Sequence, residues 1–534
     1  MVKGFGGCAL LPAGICLATL GVLYGCGDSS GAGEENISQA GSSGSPGAGG
    51  GDAVGGSTGT AGASAGSGGS APVSDCSAAL PPAGGEFENA VLMSGPLQSL
   101  ESFEGACDGS TVAAGAFLTA LRIAPALGAA SELMQLTTGN DTANPMFATR
   151  IGSSGDVTWS HALPRHNTIG AQVGPYIAAF SDGSTVESGS FEGSVILGQG
   201  QPNEVRLSGN VVDGYLAKYA ADGGLLWVKH LDVNGAMVWA VQPGPDGSTH
   251  ALIEIGYGGG VLAPGELDLE LPGLGTVALV TLDADGTFVR ATRIAGAGGY
   301  GSYHRLAALP DGRVVVLAQG GELVFAEGTP NAVTLSSGGF EARFGPELEL
   351  ESAKVLPSGQ YQIALLPPVP FADGSVIIAA ESLDDVPAVA SSQRVVARFD
   401  PQGALGWALH VGATAESMVT LTALAALLDG TTWIGGDLAD NGIEGGSVVI
   451  GLGSAQPVTL DIPPGSAYVA RIAPDGALDW AKPITSDGWA SLMGLVASSH
   501  GVAVAGRFAG TLALSPNVAV PQEDEGVFVV KLGP

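Results

Sequence analysis

One stretch near the C-terminus, Tyr468-VARIAPDGALD-Trp480, contains the pattern that decides the fold. An apolar segment with one basic residue is followed by a turn rich in Asp and Gly, and then by a segment that ends in Trp. The same pattern, with its first residue and its Trp 12 positions apart, recurs at 147–159, 215–227 and 395–407. Degraded forms without the Trp begin at 278 and 340, and a last copy begins at 528 and ends with the chain. The chain therefore contains a repeated hairpin.

A second hairpin alternates with the first one. Its signature is Asp-Gly between two runs rich in Val, Ala and Ile, and this dipeptide between β-rich runs predicts a tight hairpin. The turns begin at Asp108, Asp182, Asp246, Asp311, Asp373, Asp429 and, with His in place of Asp, His500. The two hairpins together predict a unit of four short strands that repeats about every 64 residues.

Four short antiparallel strands per period are typical of a β-propeller blade. The sequence holds seven hairpins of the second type but only six complete ones of the first type. We therefore predict an all-β fold: a β-propeller of seven four-stranded blades, closed by an N-terminal half-blade from 88–135 and a C-terminal strand. Closure of this kind removes exposed strand edges. An outer-membrane barrel is disfavoured, because its strands need about 9–11 residues and girdles of aromatic residues.

The repeats resemble a known bacterial family, the β-propeller repeats that end in the motif FVAKLDxxGxLxW. The resemblance covers most of 90–534. It implies a seven-bladed propeller that is carried by a bacterial lipoprotein.

The N-terminus contains the features of an export signal and an anchor. Residues 1–25 carry one cation, Lys3, before an uncharged apolar stretch, which is typical of a secretory signal. The segment ends in Leu23-Tyr-Gly-Cys26, which resembles the bacterial lipobox, although Tyr24 replaces the usual small residue. The resemblance implies that Cys26 becomes lipidated and holds the protein in the bacterial cell envelope, at the outer membrane. An uncleaved membrane helix, or cleavage without lipid, is the alternative.

A tether, residues 26–80, separates this anchor from the repeats at 81–534. Between 27 and 75 it is rich in Gly, Ser, Ala and Thr, with five acids and no Lys, Arg or aromatic residue. Such a composition predicts disorder, because too little apolar surface is available to offset the entropy of ordering. A flexible chain of about 49 residues spans roughly 40 Å.

Charge and cysteine content exclude two classes of protein. The net charge is −32, which argues against nucleic acid as a partner. Five cysteines in 534 residues cannot form a disulfide-stapled scaffold. Cys76 and Cys107 follow the anchor, and oxidising conditions outside the cytoplasm favour a disulfide between them. Two free thiols are the alternative.

Basic residues are rare, yet six of them occupy one position of the first hairpin, where one further copy has Thr281: Arg150, Lys218, Arg343, Arg398, Arg471 and Lys531. We expect a structural role, in which each stem packs between blades and each head meets a carboxylate, a carbonyl or an aromatic face. A cationic ring around a central channel, able to hold an anion, is the alternative.

No metal or other cofactor is predicted. His161, His230 and His410 each follow the repeated Trp, so they indicate a repeat position in different blades rather than a cluster of metal ligands. Ca²⁺ in the acidic loops is the remaining alternative.

Recognition is expected on the long, irregular connections, such as 164–175, 199–213, 295–305, 440–466 and 485–493, since variable loops on a rigid scaffold commonly carry binding. Trp489, beside Asp487, is the candidate residue for stacking on a sugar or anchoring a protein; a Trp folded back over the blade edge is the alternative. We predict a lipid-anchored binding or adhesion module with a protein or glycan partner. An envelope assembly scaffold and a propeller enzyme that acts on polysaccharide are the alternatives, and enzymatic activity is not expected.

Overall fold

The structure, a computed structural model, describes part of the chain: residues 68–69, 86–94, 97–106, 108–117, 120–125, 134–137, 146–163, 176–233, 235–255, 259–273, 276–296, 304–356, 366, 369–380, 392–414, 417–439, 446–498, 501–515 and 518–533. All of them belong to the compact unit Gly62–Pro534. The signal 1–25, Cys26, Cys76, Cys107 and the tether, apart from Gly68–Gly69, lie outside the described residues, and what is predicted for them stays a prediction.

Every regular element in the described part of the chain is a β-strand, so the prediction of an all-β fold is confirmed. The strands, numbered in chain order, are β1 Gly68–Gly69, β2 Phe87–Ser94, β3 Leu97–Gly105, β4 Thr111–Phe117, β5 Ala120–Pro125, β6 Met134–Thr137, β7 Met146–Ile151, β8 Val157–Leu163, β9 Ile177–Ala179, β10 Thr185–Leu197, β11 Val205–Tyr219, β12 Leu225–Leu231, β13 Ala236–Pro243, β14 Thr249–Ile255, β15 Gly260–Leu262, β16 Leu269–Leu271, β17 Thr276–Leu282, β18 Phe288–Ala295, β19 His304–Ala308, β20 Val314–Phe325, β21 Val333–Phe344, β22 Leu350–Val355, β23 Val369–Pro370, β24 Val376–Ala380, β25 Ser392–Phe399, β26 Leu405–Ala413, β27 Met418–Val419, β28 Ala423–Ala426, β29 Thr432–Ala439, β30 Ser447–Leu452, β31 Val458–Asp461, β32 Ser466–Ile472, β33 Leu478–Ser486, β34 Trp489–Ser498, β35 Gly501–Ser515 and β36 Val518–Leu532. Among these residues no helix is long and apolar enough to cross a membrane.

Most strands belong to antiparallel groups of four, in which each strand pairs with the next. The described residues contain seven such groups, which we call meanders A to G. They are A (β3-β4-β7-β8), B (β9-β10-β11-β12), C (β13-β14-β17-β18), D (β19-β20-β21-β22), E (β23-β24-β25-β26), F (β28-β29-β32-β33) and G (β34-β35-β36-β2). The other strands extend or link these groups.

Hydrophobic clusters lie between consecutive meanders. Meanders A and B share a cluster around Tyr215, C and D share one around Phe340, and E and F share one around Tyr468. The last meander also packs on the first, through a cluster that includes Val529 and Phe103. Because each sheet is covered on both faces, β7, β17 and β32 are buried at every position, their polar residues included.

Hydrogen bonds and backbone conformation explain why the turns contain Asp-Gly. In the first one the Ala106 amide donates to the Ser110 carbonyl at 2.9 Å, and the Gly109 amide donates to the Ala106 carbonyl at 3.0 Å. Gly109 has a φ of 78°, a left-handed conformation that glycine adopts without steric cost. The Asp108 carboxylate accepts a hydrogen bond from the Ser110 amide at 2.8 Å. The turn therefore favours Asp followed by Gly, and the third residue can vary because its backbone amide makes the bond, as the Arg313 amide does to Asp311.

The two ends of the chain pair as predicted, but the number of strands that each end gives to meander G differs from the prediction. β2 pairs with β36, with Val91 opposite Val529, so meander G consists of three C-terminal strands and one N-terminal strand. A half-blade from 88–135 was expected in this place. That prediction is wrong because β4 pairs with β7, which commits 97–117 to meander A and leaves only β2 for meander G. β5 pairs with the edge of β2 opposite to β36.

Several connections predicted to be irregular are strands. β10 and β11 extend to 13 and 15 residues and form one long hairpin, longer than the repeat spacing indicates. β30 and β31 form a second hairpin, and β30 pairs with β26, so this insertion in meander F hydrogen-bonds to meander E. Polar residues such as Ser208 and Thr459 interrupt the apolar pattern of these hairpins, which is why the sequence indicates loops there.

The repeated Trp residues contact the turn of the next meander. Trp227 Nε1 donates to the Ala284 carbonyl at 3.0 Å, and Trp407 Nε1 donates to the Pro474 carbonyl at 3.1 Å. A Cβ placed on Gly286 would come within 2.7 Å of the Trp227 ring, so the glycine lets the indole lie directly on the turn. The spacing of Trp and Gly in the repeat is thus set by contacts between neighbouring meanders.

At two positions where the Trp is replaced, another side chain makes an equivalent contact. Arg290 donates to Glu347, in the turn of meander D, through Nε at 2.6 Å and Nη2 at 2.8 Å. In β2 the position opposite Lys531 holds Asn89, whose Nδ2 donates to the Ser153 carbonyl of meander A at 3.0 Å. The contact therefore continues from the last meander to the first.

The Trp227→Ala change tests this contact. It removes the hydrogen bond to Ala284 and the packing on Gly286, so we expect the free energy of unfolding to fall by about 1–3 kcal/mol. Leu226→Ala is the matched control, because Leu226 is the next residue and its side chain is 54% exposed. Chemical denaturation measures both variants. Equal losses for the two variants would contradict the assigned role of the Trp.

Deletion of 527–534 tests the pairing of the chain ends. The deletion removes the part of β36 that pairs with β2 and leaves two unpaired strand edges. We expect the melting midpoint of the whole chain to fall by ~10 °C or more. Removal of Pro534 alone is the control and should change nothing. If the deletion leaves the cooperative melt of the other meanders unchanged, the pairing does not stabilise the chain as a whole.

Candidate functional site: a polar cavity between the first strands of four meanders

The first strands of meanders A to D lie side by side. β3 packs on β9, β9 on β13, and β13 on β19. The Ile177 amide of β9 donates to Ser102 Oγ of β3 at 3.2 Å, so a polar contact joins two of these strands. They leave a polar cavity between them.

The cavity is small and mixed in character. It has a volume of about 20 Å³, which is room for about one water molecule or one polar group. Its polar and aromatic lining comes from all four meanders: Ser102, Glu104, Tyr176, Trp239, Gln242 and Arg305. Tyr176 directly follows the predicted recognition loop 164–175, and Arg305 is the last residue of the predicted loop 295–305, so two of the predicted loops border the lining.

Glu104 is the unusual group in the lining. Its side chain is buried, and burial raises the pKa of its carboxyl group to about 8. At neutral pH the group is therefore predominantly protonated, so it can donate one hydrogen bond and accept another. Carboxyl groups perturbed in this way concentrate at functional sites.

A β-bulge places Trp239 at the cavity. The register of β13 against β14 shifts between Val238 and Ala240, so Trp239 is the extra residue of the strand. Its Nε1 donates to Glu254 Oε2 at 2.5 Å, which fixes the indole. Burial raises the pKa of Glu254 although this hydrogen bond lowers it. The cavity thus combines a fixed aromatic ring with a neutral carboxyl group.

Sequence analysis missed this site. Glu104 and Gln242 each lie four residues before the Asp of their turn, and Ser102 and Arg305 each lie six residues before theirs. Strands that begin consecutive meanders bring equal positions together, so polar residues at these offsets were the available signal. Most other meanders carry Ala, Val, Gly or Pro at these positions.

The predicted binding pair lies elsewhere. Trp489 is the first residue of β34 and is half-buried, with the Arg507 guanidinium 5.8 Å from its ring centroid. Asp487 is exposed, and its carboxylate accepts a hydrogen bond from the Thr511 amide, which lowers its pKa. Trp489 therefore lies in a strand rather than in an irregular connection, which agrees with the alternative placement over a blade edge.

The six repeat-position cations are not part of the cavity lining. Arg150 Nη2 donates to Asp108 Oδ2 at 2.9 Å and to Ser110 Oγ at 2.8 Å. Lys218 Nζ donates to the Gly247 carbonyl of the next meander at 2.9 Å and lies 4.1 Å from the Phe180 ring centroid.

The other four cations make contacts of the same kinds. Arg343 donates to the Gly374 carbonyl, Arg398 donates to Ser375 Oγ, Arg471 lies over the Trp433 ring, and Lys531 donates to the Ser153 carbonyl. All six heads thus meet carboxylates, carbonyls, hydroxyls or aromatic faces.

The copy without a cation has a local replacement. Thr281 pairs across the strands with His250, and His250 Nδ1 lies 3.0 Å from Thr281 Oγ1. Burial lowers the pKa of His250 to about 4, so the imidazole is neutral at pH 7. This meander thus carries a neutral imidazole on the neighbouring strand, beside the position where the other copies carry a cation.

The three histidines that follow the Trp position lie in meanders A, B and E. His161 Nε2 lies 3.0 Å from Glu187 Oε2, and its ring stacks between Trp159 and Tyr219. His230 Nε2 lies 3.4 Å from Asp213 Oδ2. Burial lowers the pKa of His410.

Comparison with known proteins adds little to this picture. No family model matches the chain, and no curated protein matches it. Among solved structures, a protein from Lactobacillus plantarum is similar over 74% of this chain and 96% of its own, with 13% identity and a TM-score of 0.31. A luciferin-regenerating enzyme is similar over 67% of this chain and 91% of its own, with 9% identity and a TM-score of 0.28. Scores this low carry no argument about fold or function.

The pH dependence of stability tests the state of Glu104. Its folded pKa of about 8 lies above the ordinary value of 4.5. The contribution of Glu104 to the free energy of unfolding is therefore fully present below pH 4.5 and is lost as the pH rises through about 8. Between pH 6.5 and 8.5 we expect wild type to lose about 2 kcal/mol more than Glu104→Gln.

Asp437→Asn is the control for this titration. Burial raises the pKa of Asp437 to about 6, so its contribution is lost at lower pH, as the pH rises through 6. Denaturant unfolding at several pH values gives the pH dependence of the free energy of unfolding. Its slope should differ from that of wild type above pH 6.5 for Glu104→Gln, and mainly below pH 6.5 for Asp437→Asn. Parallel curves for wild type and Glu104→Gln above pH 6.5 would contradict the raised pKa.

Proposed function

We propose that meanders A to G are the seven blades of a closed β-propeller. Two observations support this. Hydrophobic clusters occur between each consecutive pair and between G and A. β2 also pairs with β36, so the chain ends lie in one sheet. In a propeller the first strand of each blade faces the central channel, and the cavity at Glu104 then lies in the wall of that channel.

We further propose that this propeller is displayed by a lipid anchor at Cys26 on the outer membrane of a bacterium. The lipobox, the Gly/Ser-rich tether and the net charge of −32 support this placement. A tether of roughly 40 Å lets the domain search for partners while it stays attached.

The function that the cavity supports best is the binding of a neutral glycan. The observation that carries this proposal is Glu104, a buried carboxyl group that is protonated at neutral pH and lies in one cavity with Trp239 and Gln242. A neutral carboxyl group and an amide can each donate to and accept from a sugar hydroxyl. An indole offers an apolar face beside them. The volume admits one hydroxyl or hydroxymethyl group, so the rest of the glycan lies outside, against the connections.

Glycan binding is tested with the soluble Cys26→Ser chain and a panel of neutral oligosaccharides. We expect binding at pH 6.5 and at least tenfold weaker binding at pH 9.5, where Glu104 is ionised. Glu104→Gln should bind equally at both pH values, because an amide stays neutral, and Trp239→Ala should lose binding at both. Glu322→Gln, a change at an exposed carboxylate, is the control. Capture of envelope proteins without any glycan binding would replace this function by that of an assembly scaffold.

The anchor is tested by Cys26→Ser in cells. A single cysteine carries the lipid, so the variant should move from the membrane fraction to the soluble fraction with an unchanged melting midpoint. Cys8→Ser, a change within the signal segment, is the control and should leave the protein in the membrane. Retention of the Cys26→Ser chain in membranes after a high-salt wash would contradict the lipoprotein assignment.

A further inference from the structure

Three potential metal ligands meet at one end of meander B, away from the cavity. Asp213 lies in β11, His230 lies in β12, and Asp232 directly follows β12. Tyr215 pairs with His230. Alternate residues of a strand share a face. This register therefore places all three side chains on the same face of the sheet.

The geometry of the three groups fits one bound ion. Each residue offers a ligand atom, and these atoms all lie within 4.8 Å of one another. His230 Nε2 and Asp213 Oδ2 are 3.4 Å apart. Two ligands of a tetrahedral ion, each about 2.0–2.1 Å from the metal, are separated by about 3.4 Å. The pair therefore has the separation that a shared ion would give it.

A second observation points to a missing partner. His230 Nε2 is buried, and no hydrogen bond within the described residues satisfies it. A buried polar atom of this kind is uncommon and commonly marks an ion or a water. The Phe191 ring lies 5.4 Å from the imidazole ring and supports it from the side. Asp213 is buried as well, at 3% exposure, and it carries a charge that a cation would neutralise.

The histidine at the same repeat position in meander A, His161, differs from His230 in its partners. His161 meets one carboxylate, Glu187, at hydrogen-bond distance, and aromatic rings stack on both of its faces. It is satisfied without an ion. His230 instead faces two carboxylates, and its Nε2 lies 3.4 Å from Asp213 Oδ2 without the geometry of a hydrogen bond, although it occupies the same position of the repeat.

We propose that Asp213, His230 and Asp232 bind one Zn²⁺ ion. An imidazole with two carboxylates suits zinc, whereas Ca²⁺ and Mg²⁺ prefer oxygen ligands alone. Asp232 is exposed, so the fourth position faces solvent and is filled by water. The ion links the middle of β11 to the segment after β12 and holds the exit of meander B in place.

The test uses the soluble Cys26→Ser chain, stripped with a chelator and titrated with ZnCl₂ at pH 7. Cys76 and Cys107 are alkylated, so that thiols cannot bind the metal. We expect one zinc per chain by elemental analysis, and a rise in melting midpoint that the chelator reverses. Co²⁺ in place of Zn²⁺ should give the visible absorption of a four-coordinate site.

Two variants and one control locate the site. His230→Gln and Asp232→Asn should each weaken zinc binding at least tenfold; Asp232 is exposed, so its variant keeps the fold. His161→Gln, the same change at the same repeat position, should bind zinc like wild type. The proposal is overturned if zinc does not bind, if it binds equally well to both variants, or if Ca²⁺ binds in preference to Zn²⁺.

Discussion

The pairing of β2 with β36 is the contact on which the rest of the structure depends. β34, β35 and β36 would otherwise end in an edge with unpaired amides and carbonyls, and β2 would be left with β5 as its one partner strand among the described residues. Seven residue pairs, from Phe87–Leu532 to Ser94–Gly526, join the two ends of the described domain. This pairing brings Val91 and Val529 into the cluster that meander G shares with meander A. The pairing of β2 with β36 thus provides the fourth strand of meander G and the packing between meanders G and A.

Contacts between neighbouring meanders explain why the repeat has its particular sequence. The Trp reaches the turn of the next meander. The repeat-position cation reaches a turn or an aromatic ring, in its own meander for Arg150, Arg398 and Arg471 and in the next one for Lys218, Arg343 and Lys531. Where Arg290 replaces the Trp, the contact with the next meander is kept through Glu347. Leu348, with a φ of 61°, even adopts the backbone conformation that the other turns give to glycine.

The sequence was sufficient for the all-β fold, the hairpin turns and the contact between the chain ends, because Asp-Gly turns and the Trp spacing are local signals. It was insufficient for the assignment of 97–117, since both neighbouring meanders could accept that hairpin and pairing with β7 decides between them. The cavity was missed for a related reason: Glu104, Trp239 and Arg305 lie on three strands that are distant in sequence, and a bulge selects Trp239. The position of Trp489 before a turn did not reveal that it begins β34 with the Arg507 guanidinium over its ring.

Native-state hydrogen exchange of the β2 and β36 amides tests the central role of this pairing most directly. If closure links all the meanders, the amides of Val91 and Val529 exchange only through global unfolding, with the same free energy as those of the buried strand β17. If these two strands exchange through local opening, several kcal/mol more easily than β17, the chain ends fray independently of the other meanders and the account is wrong.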